Sequence, residues 1–261
     1  MTDIVIPVQA KTRQLDKTLD LLAQHAAGHK VWIVEEPRLN VSDARQKALD
    51  ELPLGNRVCF MDDDSETLHD GWLEAMENTM DEHPDAGAVF GGEWWGTEPQ
   101  PEIVPVPGDT VIEYGPAACM LLDKRRLPPG LKWDPRIGLR SGWLGGDFEE
   151  VDYCYRLRSA GLNLYRCTRS LFHHVGGKTT HIDFQKTDRA RCIQVMNLLI
   201  RTKYQRAPDD EDWFKGLEYL AADPNNDCNF ANDGSVRRCY AKVVRRNGLR
   251  GHPEMIRLGL L

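Results

Sequence analysis

Asp62-Asp63-Asp64 follows directly on the apolar run Val58-Cys59-Phe60-Met61. Three adjacent carboxylates repel one another and are costly to gather unless a cation neutralises them. A hard cation such as Mn²⁺ or Mg²⁺ prefers such oxygen ligands. Held at a strand end, that cation can grip a diphosphate, which points to nucleotide-sugar chemistry. The competing reading is structural: the aspartates and Ser65 can cap a following helix, where carboxylates suit the positive end of the dipole. One acid would suffice for a cap, so the cluster favours the cation.

Two clusters downstream supply the remaining chemistry. Glu149-Glu150-Val151-Asp152 suits the first turn of a helix, and it also offers a carboxylate able to deprotonate an attacking hydroxyl. His173-His174 is followed by Gly176-Gly177-Lys178. A neutral imidazole is a common ligand for a Mn²⁺-like ion, paired glycines allow close backbone approach to phosphates, and Lys178 adds a positive charge. Between the clusters, Gly138, Gly142, Gly145 and Gly146 surround Trp143, a spacing that lets the backbone bend while presenting one large aromatic, as a substrate lid would.

The elements that must carry these groups alternate. Ile4 to Val8 reads as a strand, and Leu15, Leu19, Leu22 and Ala26 then recur at helical spacing. Val31 to Val34 reads as a second short buried strand, followed by a helix from about Ser42 to Leu52 with Ser42 or Asp43 as its cap. Arg57 to Met61 is the third strand, Asp70 to Asp81 a helix with Trp72, Leu73, Met76 and Met80 inward, and Ala86 to Gly92 another strand. Gly96 to Gly108 is a Pro- and Glu-rich loop, and Thr110 to Tyr114 and Pro116 to Leu122 read as antiparallel strands. A helix begins at Asp147 and stops at Gly161; Asn163 to Cys167 is a strand and His173 to Thr180 a loop. Short apolar strands alternating with helices indicate an α/β fold whose parallel sheet is covered on both faces, with ligands beyond the carboxyl ends of its strands. Helices over Asp183 to Lys203 and Glu211 to Ala222 then form a C-terminal appendage.

At 261 residues, 41% hydrophobic and 28% charged, the composition is that of an ordinary globular chain with one sizeable core. A formal charge of -7 excludes general electrostatic attraction to nucleic acid or anionic membrane. Seven scattered cysteines without a CxxC pair fit reduced thiols rather than a disulfide framework or a zinc site. With no long apolar run, the sequence is expected to be soluble and cytoplasmic, in the host cytoplasm if the chain is viral.

In combination, several segments resemble the successive signatures of GT-A fold, family 2-like glycosyltransferases. They are Ile4 to Val8, Val31 to Glu36, Asn40-Val41-Ser42-Asp43-Ala44-Arg45, the DXD-like Asp62 and Asp64, Gly115 to Leu122, Gly145 to Arg158, and His174-Val175-Gly176-Gly177-Lys178-Thr179. The resemblance covers about residues 3 to 180. It implies a Rossmann-like nucleotide-diphospho-sugar transferase sheet and a metal-dependent, inverting transfer of a sugar from a nucleoside diphosphate donor, UDP favoured, to an acceptor hydroxyl. By position, Asp64, Asp62 and His174 would hold Mn²⁺ or Mg²⁺, while Pro7, Glu35, Arg45, Asp62, Asp63 and Lys178 would lie along the donor. Trp143, Gly145 and Gly146 would face the acceptor. Glu150 falls where the family has an aspartate as catalytic base, with Glu149 and Asp152 as alternatives. His173 is the alternative to His174. Glu35-Glu36-Pro37 replaces the family's Asp-Asp-Gly-Ser-like turn, so the nucleobase contacts are expected to differ.

The expected organisation is a catalytic domain over 1-182, with a donor half of about 1-95 and an acceptor half of about 96-182, and a helical extension over 183-261. The extension carries Arg237, Arg238, Lys242, Arg245, Arg246 and Arg250 without an intervening acid. A solvated basic face is the plainer reading. The functional one is contact with a polyanionic acceptor, a phospholipid-linked glycan or DNA carrying a hydroxymethylated base. Two other classes remain in view. A sugar nucleotidyltransferase needs a Gly-rich basic loop after the first strand, and Pro7-Val8-Gln9-Ala10-Lys11 has no glycine; a non-catalytic nucleotide-sugar-binding protein would share the donor site.

Overall fold

The computed structural model describes residues 1–8, 11–35, 41–94, 108–134 and 149–175. The chain divides into two compact units, Met1–Pro135 with Glu149–Lys178 and Arg136–Phe148 with Thr179–Leu261. Every described residue belongs to the first unit. The lid around Trp143, the loop over 95–107, the helices expected beyond Asp183 and the basic segment 237–250 lie outside the described residues.

In chain order the elements are β1 (Asp3–Val8), α1 (Arg13–His25), β2 (Lys30–Glu35), α2 (Val41–Glu51), β3 (Arg57–Met61) and β4 (Ser65–Thr67). They continue with α3 (Trp72–Glu82), β5 (Ala86–Trp94), β6 (Thr110–Val111), β7 (Cys119–Asp123), α4 (Glu149–Ser159) and β8 (Asn163–His174). Local chemistry sets their limits. Thr12 caps α1 by accepting from the Leu15 N–H at 3.1 Å. Gly161 follows α4 at φ +86°, a left-handed conformation that costs glycine nothing.

The strands form one mixed sheet in the order β2-β1-β3-β7-β5-β8-β4, with β6 also paired to β8. β1 runs parallel to β2 and β3, β5 runs parallel to β8, and β7 lies antiparallel between β3 and β5. It follows that β1, β2, β3, β5 and β8 all point the same way and deliver their carboxyl ends to one edge. Alternation along the strands sends Ile4, Ile6, Cys59 and Met61 to the face covered by α1 and α3. Val5, Val58 and Phe60 go to the opposite face under α2 and α4. Because both faces are dry, β3, β5 and β7 read as continuous apolar runs rather than alternating ones.

Five sequence expectations change. The sheet is mixed rather than parallel because β7 enters between β3 and β5. β2 is not a buried strand but the sheet's edge, with Ile33 40% exposed. Ser42 and Asp43 lie inside α2 rather than capping it. No helix follows Asp62-Asp63-Asp64: the chain turns into β4, and α3 begins only after Gly71, so the helix-cap reading of the aspartates falls. His173 and His174 end a strand instead of opening a loop, because antiparallel pairing with β4 extends β8 to His174.

Candidate active site

The carboxyl edge collects the charged groups. Met61 is the last apolar residue of β3 and pairs with Cys119, and the Asp62 N–H donates to the Ala118 carbonyl at 3.3 Å. The tight turn back into β4, closed by the Ser65 N–H on the Asp62 carbonyl at 3.2 Å, then points Asp62 and Asp64 towards the end of β8. α1 braces this turn from beneath. Thr18 Oγ1 donates to the Asp63 carbonyl at 3.1 Å, and Gln14 and Lys17 hold the buried Glu66 at 2.7 and 2.8 Å.

His174 meets both aspartates. Its Nε2 lies 3.2 Å from Asp64 Oδ1 and 4.0 Å from Asp62 Oδ2. One ligand atom from each of Asp62, Asp64 and His174 falls within 4.8 Å of the others. Ligands at about 2.1 Å from an octahedral cation stand about 3 Å apart when adjacent and about 4.2 Å apart when opposite, so the spacing suits one ion. Two carboxylates and an imidazole are a donor set for Mn²⁺ or Mg²⁺. His173 points to the other face of the strand, 3.5 Å from Glu66 and against the Trp94 ring at 4.4 Å between centroids. Geometry therefore puts His174, not His173, with the aspartates.

The cluster behaves as a site short of positive charge. Burial, together with Asp64 and Asp62, pushes the Asp63 carboxyl up to about 7. Burial disfavours the His174 imidazolium, but Asp64, Glu93 and Asp62 outweigh it and raise its pKa to about 10. Burial leads the Asp63 shift, and in both groups the neighbouring carboxylates add negative potential that a divalent cation would relieve.

Arg45 connects this turn to α4. Fully buried on α2, its guanidinium donates to Asp62 Oδ1 at 2.9 Å and to Glu149 Oε1 at 2.7 Å, and it lies 5.0 Å from the Trp133 ring. Trp133 is in turn stacked on Tyr153 of α4 at 4.3 Å. Burial opposes the Arg45 charge, and Asp62 and Glu149 more than restore it. The acids of α4 divide accordingly. Glu149 is buried in this ion pair, Asp152 is fully buried against Arg156, and Glu150 is half-buried at the start of the helix.

Of the other expected donor residues, Pro7 is half-buried near the end of β1, level with Val34 of β2 and past the last residue that pairs with β3. Glu35 is exposed at the end of β2 with Lys11 at 3.5 Å, a pairing worth little in water. Trp143, Gly145, Gly146 and Lys178 lie outside the described residues. Sequence reasoning missed Glu93, 2.6 Å from His174 Nδ1, and Trp133. A lone acid closing the apolar strand Ala86 to Gly92 was the available sign of the first.

At the level of sequence, no known family and no curated protein matches the chain. Among solved structures, a fragment of S. aureus TarS, residues 1–349, superposes with a TM-score of 0.55 at 10% identity, covering 98% of this chain and 82% of that one. A197 from STIV aligns at 16% identity with a TM-score of 0.46, over 67% of this chain and 86% of that one. No described helix is long and apolar enough to cross a membrane. The likeness to TarS concerns architecture: the mixed α/β sheet with helices on both faces is a GT-A-like fold.

Proposed function

We propose that the chain is a metal-dependent glycosyltransferase that moves a sugar, with inversion, from a nucleoside diphosphate sugar to an acceptor hydroxyl. One observation carries the reading: Asp62, Asp64 and His174 converge at the carboxyl edge of a GT-A-like sheet, and Arg45 ties that convergence to the acids of α4. The GT-A-like architecture shared with the TarS fragment is consistent with that class.

Asp62, Asp64 and His174 would hold Mn²⁺ or Mg²⁺, which when bound supplies charge to stabilise a departing diphosphate. Glu150 is the base. Glu149 is paired with Arg45 and Asp152 with Arg156, and Glu150, half-buried in the first turn of α4, stands where the resembled family has its base. The acceptor oxygen forms its bond to the anomeric carbon as its proton passes to Glu150, and the bond to the diphosphate breaks with its electron pair on the leaving group. Pro7, Glu35, Asp63 and Lys178 would border the donor, and Trp143, Gly145 and Gly146 the acceptor. Arg45 acts through Asp62 and Glu149 rather than on the base of the nucleotide.

The test is a thermal-shift screen of UDP-, GDP- and dTDP-sugars with and without Mn²⁺, followed by donor hydrolysis. A UDP-sugar is expected to stabilise the protein only with the metal. Asp64→Ala should lose both this stabilisation and turnover, while Glu150→Gln should lose turnover alone. Unchanged donor affinity in the Asp64 variant would sink the assignment. Stabilisation of the wild-type chain without any hydrolysis or transfer would make it a nucleotide-sugar-binding module instead.

A further inference from the structure

Glu93 closes β5 at the same edge and is part of no role assigned above. The end of β5 is irregular in a way that aims it. Gly91 pairs with Cys167 but Gly92 with Leu171, so β8 makes three extra residues against one step of β5. The shift is possible because residue 92 is glycine: a Cβ there would come within 2.6 Å of Leu171 Cδ2 and 3.2 Å of the Ser170 carbonyl. Past the shift Glu93 is level with Phe172 and Trp94 with His173. Side chains level across a sheet share a face, so Glu93, Phe172 and His174 point one way and Trp94 and His173 the other.

His174 is thereby held between two carboxylate groups on opposite sides of its ring. Glu93 Oε1 stands 2.6 Å from Nδ1, and Asp64 Oδ1 stands 3.2 Å from Nε2. An ionised carboxylate only accepts hydrogen bonds, so Nδ1 carries a proton and donates it to Glu93, and Nε2, which faces the aspartates, is the nitrogen left for a cation to take. We propose that Glu93 is the positioning residue of the metal site: it fixes the orientation and tautomer of His174 so that Nε2 coordinates the divalent cation beside Asp62 and Asp64. The inference rests on the metal reading of those three residues. It adds a fourth residue, a non-ligating acid whose negative charge strengthens the imidazole as a donor.

The experiment is a Mn²⁺ titration of the full chain followed by electron paramagnetic resonance, on the wild type, Glu93→Leu, Glu93→Gln, His174→Ala and the Glu93→Leu/His174→Ala double variant. Glu93→Leu should weaken Mn²⁺ by about 10- to 100-fold, and Glu93→Gln, which keeps an oxygen acceptor without the charge, should fall between it and the wild type. In the His174→Ala background Glu93→Leu should add nothing. In the Mg²⁺-loaded protein, proton NMR should show a downfield Nδ1–H signal of His174 in the wild type and the Gln variant that is absent in the Leu variant. Wild-type Mn²⁺ affinity in the Leu variant, or an equal loss in the His174→Ala background, overturns the inference and leaves the metal site standing. Should the Leu variant fail to fold, wild-type affinity in the Gln variant overturns it equally. A wild-type chain that binds no Mn²⁺ overturns the metal reading itself, and Glu93 with it.

Discussion

Asp62 and Arg45 show how a residue's role follows from its partners. Asp62 spends one oxygen on Arg45 and turns the other towards His174, so it belongs to the site and to the scaffold at once. Arg45 is buried with two carboxylates, and the stability of such a triad lies mostly in what is left behind when one member goes. Arg45→Met is expected to cost about 3–5 kcal/mol, because Glu149 keeps its charge in a dry setting, while the half-exposed Asp62 can turn to water. Removing the buried acid as well, in Arg45→Met/Glu149→Leu, should recover part of that loss. Urea unfolding of the three proteins decides it; a single variant as stable as the wild type would show that the triad contributes nothing.

Elements meet at two places where single atoms matter. Gly115 precedes β7 and lies over Phe90 of β5: a Cβ there would come within 2.5 Å of the ring's Cγ, and Phe90 is fully buried. The ring has nowhere to go, so Gly115→Ala should destabilise by about 1–3 kcal/mol, read as a lowered melting temperature with the fold retained. At the far end of β7, Asp123 is clasped by Arg125 and flanked by Arg57 and Arg126. The Arg125 guanidinium outweighs burial and, with the Arg125 N–H and Arg126, holds the Asp123 carboxyl below its usual range. A depressed folded pKa gives stability that is full above the unfolded value of about 3.9 and is lost as pH falls through the folded one. Urea midpoints followed below about pH 4 should therefore decline less steeply in Asp123→Asn than in the wild type, from a lower starting stability. Parallel curves would remove Asp123 from the acid response.

For the molecule as a whole, the carboxyl edge is a charge problem that the proposed cation would solve. Anything binding the native state alone stabilises it by mass action, so Mn²⁺ at about 100 times its Kd should add about 2.7 kcal/mol. Asp64→Ala should abolish that gain while leaving the metal-free melting temperature close to that of the wild type. A melting temperature indifferent to Mn²⁺ in the wild type would argue that the acidic edge serves something other than a cation. With a formal charge of -7, attraction to DNA would have to be local, in the basic segment 237–250. Retention on a DNA column at low salt, lost when Arg237, Arg238, Arg245 and Arg246 become Ser, would assign that segment to a polyanionic acceptor.

The sequence by itself determined the elements whose apolar pattern is strong. β3 has the bounds read from Arg57 to Met61, and α3 buries Trp72, Leu73, Met76 and Met80 as their spacing requires, because burial on a sheet or helix face is written in periodicity. It also brought forward Asp62, Asp64 and His174, since clustered acids and a histidine stand out as residue types. Tertiary structure alone decided how they meet. Pairing with a strand remote in sequence is not encoded locally, so β7 between β3 and β5, and β8 extended along β4, were not legible. It is that extension which separates His174 from His173 and turns it towards the aspartates. Likewise Arg45 could be marked as basic and near the donor, but its grip on Glu149, 104 positions away, exists only once α2 and α4 share one face of the sheet. Glu93 became visible last, because its aim depends on three extra residues in a neighbouring strand and on a glycine small enough to let that strand pass.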